Sequence, residues 1–83
     1  MPKEEIKTPE QIQRGISAAM DSVTLINSKI TITPSTEKLK KIVKSNVQHL
    51  ELMLTQDWFE GALDPAQRTS IDSSISAGNT YSA

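Results

Sequence analysis

Ser45 and His49 are the residues whose types and spacing could do chemistry. A serine one helical turn before a histidine can form a nucleophile and general-base pair. Catalysis by such a pair also needs an acid that orients the imidazole and a donor for the oxyanion, and no glycine-rich elbow surrounds Ser45. We therefore interpret His49 as a residue at the edge of an apolar stripe, with its ring tip in water, and expect a protein that is not an enzyme.

Metal and cofactor chemistry have little support in this sequence. The chain has no Cys, a single His and ten scattered Asp and Glu residues, and the positions three and four residues after His49 hold Leu52 and Met53. We expect no metal, no cofactor and no disulfide.

A short basic cluster is the other candidate for recognition chemistry, and it consists of Lys38, Lys40, Lys41 and Lys44. Cations near a helix start oppose the macrodipole, so the cluster should be compensated, and Glu37 can pair with Lys41. The cluster has no interleaved aromatic residue and no nearby Arg, which argues against base stacking and guanine readout. A solvated face, a docking site for an acidic protein surface and a nucleic-acid contact all remain open.

Overall charge is close to neutral, but it is unevenly distributed. The 83 residues carry a formal net charge of −1. Residues 1–50 hold eight basic and five acidic residues, whereas residues 51–83 hold one basic and five acidic residues. This polarity suits head-to-tail contacts between copies, while the small net charge gives no general attraction to nucleic acid or anionic lipid. No apolar run could span a membrane and the start lacks a signal-peptide core, so we expect a protein that is neither secreted nor membrane-embedded.

Three helix starts organise the chain. Thr8-Pro9, Thr33-Pro34 and Asp64-Pro65 each place an N-cap residue before a proline at the first helical position. They predict an all-α fold, a small bundle of two long antiparallel amphipathic helices and a short third helix. The expected helices are about 9–28, 34–60 and 65–77, with tails at 1–7 and 79–83, in a single domain over residues 1–83.

Several apolar residues lie outside the main stripes of these helices. We predict them as partner contacts, and they are Leu25, Leu52, Phe59 and Tyr81. Trp58 is expected in the core, because adjacent residues of a helix face different ways. Asn46 lies within the apolar stripe, where it either bonds to a neighbouring carbonyl or sets register across a subunit interface. A core this small, with only three aromatic residues, favours a subunit of something larger.

The second half of the chain carries a characteristic set of positions: Asn46–Met53, Trp58, Phe59, Ile71, Ile75, Gly78, Asn79 and Tyr81. This pattern resembles small helical proteins encoded by marine tailed bacteriophages. The resemblance covers roughly the last 40 residues and includes no catalytic motif. It implies a virion component, such as a capsid or tail accessory subunit, located in the virion or the host cytoplasm.

Two hypotheses follow for function. The first is a non-enzymatic structural or interaction subunit that binds virion proteins or copies of itself. The alternative is a small regulatory or nucleic-acid-binding adaptor that uses the lysine cluster, with Gln67 and Arg68 of the third helix as base readers.

Overall fold

Helices that pack against one another build the fold. The computed structural model describes residues 7–83, and within them the secondary structure is entirely helical, which confirms the all-α prediction. The helices are α1 (Pro9–Lys29), α2 (Glu37–Leu54), α3 (Asp57–Glu60) and α4 (Pro65–Tyr81). The predicted tail at 1–7 lies outside the described residues except for Lys7.

Two of the three predicted helix starts are confirmed. The Thr8 hydroxyl accepts a hydrogen bond from the Gln11 amide at 3.1 Å, and the Gln11 side chain accepts one from the Thr8 amide at 3.0 Å. Asp64 and Gln67 form the same reciprocal pair at the start of α4. Each capping box satisfies two amides that the first helical turn leaves without a partner.

The predicted start of the second helix at Thr33-Pro34 is wrong by three residues. Thr36 is the N-cap of α2, and its hydroxyl accepts from the Leu39 amide at 3.2 Å. The preceding connector turns at Ile30–Thr31, where the Ile32 amide donates to the Lys29 carbonyl. Thr36 can cap the first turn because its backbone is extended, and Pro34 then lies in the connector.

The predicted second helix 34–60 is also interrupted. It stops at Leu54, and α3 begins at Asp57 after a break at Thr55 and Gln56. The Thr55 hydroxyl donates to the Leu52 carbonyl at 2.6 Å, a local bond of the kind that competes with helix continuation. In an unbroken helix Phe59 would lie two turns beyond Leu52 on the same side, so the break redirects the chain around Phe59.

This redirection overturns one predicted partner contact. Phe59 is 0 % exposed and lies in the core, so its interpretation as a partner-facing residue is wrong. The Trp58 ring is half-buried and packs edge-to-face on the Phe59 ring, with centroids 5.9 Å apart. The other buried apolar residues of the core come from α1, α2 and α4: Ile16, Ala19, Val23, Ile26, Val43, Val47, Leu50 and Ile71.

The last helix is longer than predicted. α4 continues through Gly78 and Asn79 to Tyr81, so residues 79–81 are not a tail. Gly78 has ordinary helical backbone and is buried, and a Cβ at this position would meet Val47, Val43 and Ile26. Gly78 therefore serves close packing of α4 and does not end the helix.

Tyr81 ties the end of α4 to the connector. Its hydroxyl donates to the Ile32 carbonyl at 2.8 Å. Partner binding by Tyr81 stays a prediction, with this hydroxyl already engaged within the chain.

We expect Tyr81→Phe to lower the free energy of unfolding by about 0.5 kcal/mol, the low end for a hydrogen bond, because water can replace the lost donor at this exposed bond. Urea denaturation followed by circular dichroism measures the change. Tyr81→Leu serves as the comparison, since it removes ring packing as well. A loss above about 2 kcal/mol for Tyr81→Phe would show that the bond is more buried than this account allows.

Candidate interaction surface

Three large apolar side chains remain exposed in the folded chain. Leu25 on α1 is 37 % exposed, Leu52 on α2 is 61 % exposed and Ile32 in the connector is 40 % exposed. Single exposed apolar residues are common, so each one alone indicates little. Leu25 and Leu52 were predicted as partner contacts because they lie off the main stripes, and both are at the surface.

A hydrogen bond joins the helices that carry these leucines. The Ser22 hydroxyl on α1 lies 3.0 Å from Nδ1 of His49 on α2. Ser22 is buried and His49 is half-buried. His49 therefore bonds to a serine of the neighbouring helix. Ser45, one turn before His49 on α2, is exposed.

The Ser22–His49 pair lacks the remaining parts of a hydrolytic site. Among residues 7–83, no carboxylate forms a hydrogen bond with His49, so nothing holds the imidazole as a base. The pair instead fixes the register of α1 against α2 in a part-buried position. Sequence reasoning missed Ser22, because nothing in the local pattern distinguishes it from the many other serines.

The Trp58 ring packs beside Gly15 on α1 and Met53 on α2. A Cβ on Gly15 would lie 2.9 Å from the Trp58 ring and 3.5 Å from the Met53 methyl. Gly15 thus makes room for this ring. The Lys7 ammonium lies 5.4 Å from the Trp58 ring centroid, within the range of a cation–π contact.

Leu25 and Leu52 have equivalent positions relative to the Ser22–His49 hydrogen bond. Leu25 comes three residues after Ser22, and Leu52 comes three residues after His49. Three residues advance an α-helix by about 60° less than one full turn. Each leucine therefore lies about 60° around its helix from the residue that contacts the other helix.

The lysine cluster lies over the first two turns of α2. Lys38, Lys41 and Lys44 are exposed and Lys40 is half-buried. Within residues 7–83, none of the four forms an ion pair. The expected Glu37–Lys41 pair is therefore absent from the described contacts.

Neighbouring helices pack beside the helix that carries the lysine cluster. The Ser74 hydroxyl on α4 donates to the Asn27 side chain near the end of α1 at 2.9 Å, and Gly78 packs against Val43 and Val47 of α2. Val43 and Val47 are the seventh and eleventh residues of α2, so these contacts lie beyond its first turn.

The remaining candidate polar residues are engaged within the chain. The Asn46 amide donates to the Ile42 carbonyl at 2.8 Å, which is the local alternative considered for it. The proposed base readers are also occupied, since Gln67 caps α4 and Arg68 binds Glu60 and Asp72. Nucleic-acid binding stays a prediction without support from these two side chains.

The buried polar side chains of residues 7–83 are satisfied within the chain. In the part of the chain that the structure describes, every buried side-chain nitrogen and oxygen has a hydrogen-bond partner. The same residues contain no group of three or more His, Cys, Asp or Glu placed to hold a metal. None of the helices of residues 7–83 combines the length and apolar character needed to cross a bilayer.

Comparison of the chain with known protein families, curated proteins and solved structures gave no match.

Proposed function

We propose that the chain is a non-enzymatic structural subunit that docks onto a larger protein assembly through Leu25 and Leu52. The exposure of these two leucines is the observation that carries the proposal. Phe59, a further predicted apolar contact, belongs to α3 and is buried in the core. The resemblance to phage proteins makes a virion, as a capsid or tail accessory protein, the assembly that we propose.

The two leucines form one surface if α1 and α2 run antiparallel, and contacts support that arrangement. Gly15, early in α1, faces Met53, late in α2, while Ser22 pairs with His49. Going along α1 from Gly15 to Ser22, the contacting residue on α2 thus changes from Met53 back to His49. In two antiparallel helices, the residues three positions after each member of a contacting pair project from the same face of the helix pair.

The resulting surface lies on the side of the α1 and α2 pair opposite α4. Ile26 and Asn27 of α1 contact α4, and both are turned away from Leu25 around the helix. We define the outer face as Leu25, Leu52 and the small Ala18, all exposed. Exposed polar residues adjoin these side chains, including Asp21 between Ala18 and Leu25 and Ser45 two turns before Leu52, so the face fits a partner strip that is apolar at its centre and polar around it.

The double substitution Leu25→Glu with Leu52→Glu tests this function. We expect it to abolish cosedimentation with virion particles, because buried carboxylates without partners oppose an apolar interface. The free energy of unfolding should change by less than about 0.5 kcal/mol, since both side chains are exposed. Circular dichroism measures the helix content in parallel.

Ser73→Glu with Ser76→Glu is the matched control, because it adds the same charge at exposed positions of α4. This control should cosediment as the unsubstituted protein does. Loss of helical structure in the leucine variant would instead place Leu25 and Leu52 in the intramolecular core. Full cosedimentation of that folded variant would refute docking through the outer face.

A further inference from the structure

The two ends of the bundle carry opposite charge. We call the end with the Ile30–Thr36 connector and the first turns of α2 the basic end, and the end with α3 the acidic end. Residues 38–44 hold four lysines and no acid. Residues 51–64 hold four acids and no Lys or Arg: Glu51, Asp57, Glu60 and Asp64.

These groups are separated along the molecule and are only partly neutralised within it. α2 has 18 residues, so its ends lie about 27 Å apart. Glu60 is paired with Arg68 at 2.8 Å, but Glu51 and Asp57 are exposed and form no ion pair within residues 7–83. The lysines of the basic end also lack ion-pair partners there.

We propose that copies of the chain associate head to tail, with the basic end of one copy against the acidic end of the next. Charge complementarity selects a second copy as the occupant, since lysines outnumber Glu37 at the basic end and carboxylates outnumber Lys7 and Arg68 at the acidic end. An exposed apolar residue accompanies each end: Ile32 at the basic end, and Ala62, beside half-buried Leu63, at the acidic end. The inference rests on the proposed function, because it names one partner of that subunit.

A contact of this kind joins two different surfaces. Such heterologous interfaces build rings when the rotation between copies closes, and open rows when it does not. Exposed charges are screened over about 8 Å at physiological ionic strength and over about 30 Å at 0.01 M. The contact should therefore be strong at low salt and weaken as salt rises.

Charge reversal at each end provides the test. Lys38→Glu with Lys41→Glu makes both ends acidic, and Glu51→Lys with Asp57→Lys makes both ends basic. By analytical ultracentrifugation at low ionic strength, the unsubstituted chain should form oligomers whose size rises with concentration. Each variant alone should be monomeric, and an equimolar mixture should associate again.

Salt and two control variants separate charge pairing from other causes. The apparent dissociation constant should rise on the order of tenfold between 0.01 M and 0.5 M salt. Lys38→Arg with Lys41→Arg, which keeps the charge, and Ser73→Glu with Ser76→Glu, which shifts the net charge elsewhere, should both associate normally. Circular dichroism verifies that each variant is folded.

Three results would overturn the proposal: a monomeric unsubstituted chain at low salt, association of each folded charge-reversal variant alone, or no recovery on mixing. A duplex-DNA complex that Lys38→Glu with Lys41→Glu abolishes, formed by a monomeric chain, would assign the lysines to nucleic acid instead. The Leu25→Glu and Leu52→Glu variant should still associate head to tail. Failure of the outer face and failure of the end contact are thereby distinguished.

Discussion

Replacing Phe59 with Ala should leave most of the chain unfolded at room temperature. Phe59 is the largest of the fully buried side chains and comes from the single turn of α3. Removing a buried Phe side chain costs about 3 to 5 kcal/mol. A core in a domain of this size supplies about the same amount in total, so little stability would remain.

Leu52→Ala is the matched comparison for Phe59→Ala, because it truncates a nearby apolar side chain that is exposed and not buried. We expect this exposed position to change the free energy of unfolding by less than about 0.5 kcal/mol. Urea titration followed by circular dichroism measures both variants. A Phe59→Ala protein that unfolds cooperatively within about 1 kcal/mol of the unsubstituted chain would contradict the burial of Phe59.

Gly78→Val should be the second strongly destabilising change, with a loss of about 3 kcal/mol. A Cβ at Gly78 would collide with a Val47 methyl and lie 3.2 Å from Val43 and 3.4 Å from Ile26. Ala in place of a helical Gly gains about 1 kcal/mol of helix propensity, but overpacking a filled core costs about 1 to 3 kcal/mol. Valine adds two further methyl groups at the same contact, so the steric cost exceeds the propensity gain.

A second substitution shows whether steric overlap causes the loss at Gly78. Val47→Ala removes the methyl groups nearest to the new side chain, so Gly78→Val with Val47→Ala should lose less stability than the two separate losses added. Thr80→Val, at an exposed position of α4, is the control. Additive losses in the double variant would show that α4 does not pack against Val47 through Gly78.

The helix starts were predictable from sequence where the signal is local. Thr8 and Asp64 cap their helices through reciprocal bonds that span only three residues, so the residue types suffice to predict them. The same pattern, an N-cap residue followed by proline, gave a wrong helix start at Thr33-Pro34, because a second capping threonine, Thr36, follows three residues later. Two candidate caps in succession are ambiguous without knowledge of the packing.

The fate of the aromatic residues was not predictable in the same way. A helical wheel that assumes one helix from 34 to 60 places Phe59 beside Leu52, and the short break at Thr55 and Gln56 invalidates it. Threonine can continue or interrupt a helix, so its residue type alone does not predict the break. The unbroken helix therefore predicted Phe59 at the surface, whereas the break at Thr55 and Gln56 directs it into the core.

Long-range pairs set the remaining limit on the sequence reasoning. The Ser22–His49 bond joins residues 27 positions apart, and the Tyr81–Ile32 bond joins residues 49 positions apart. Gly78 resembles a helix stop by type, but its role depends on Val47 and Val43 across the bundle. Only Leu25 and Leu52 could be recognised in advance as surface leucines, because their helices kept the predicted stripes.

The number of copies of the chain per purified virion particle tests the central claim most directly. Quantitative mass spectrometry of particles washed at high salt measures this number, since an apolar contact survives such a wash whereas charge pairing weakens. The proposed role as a docked structural subunit predicts a fixed stoichiometry across preparations. A chain absent from washed particles, or present in amounts that follow its expression level, would contradict it.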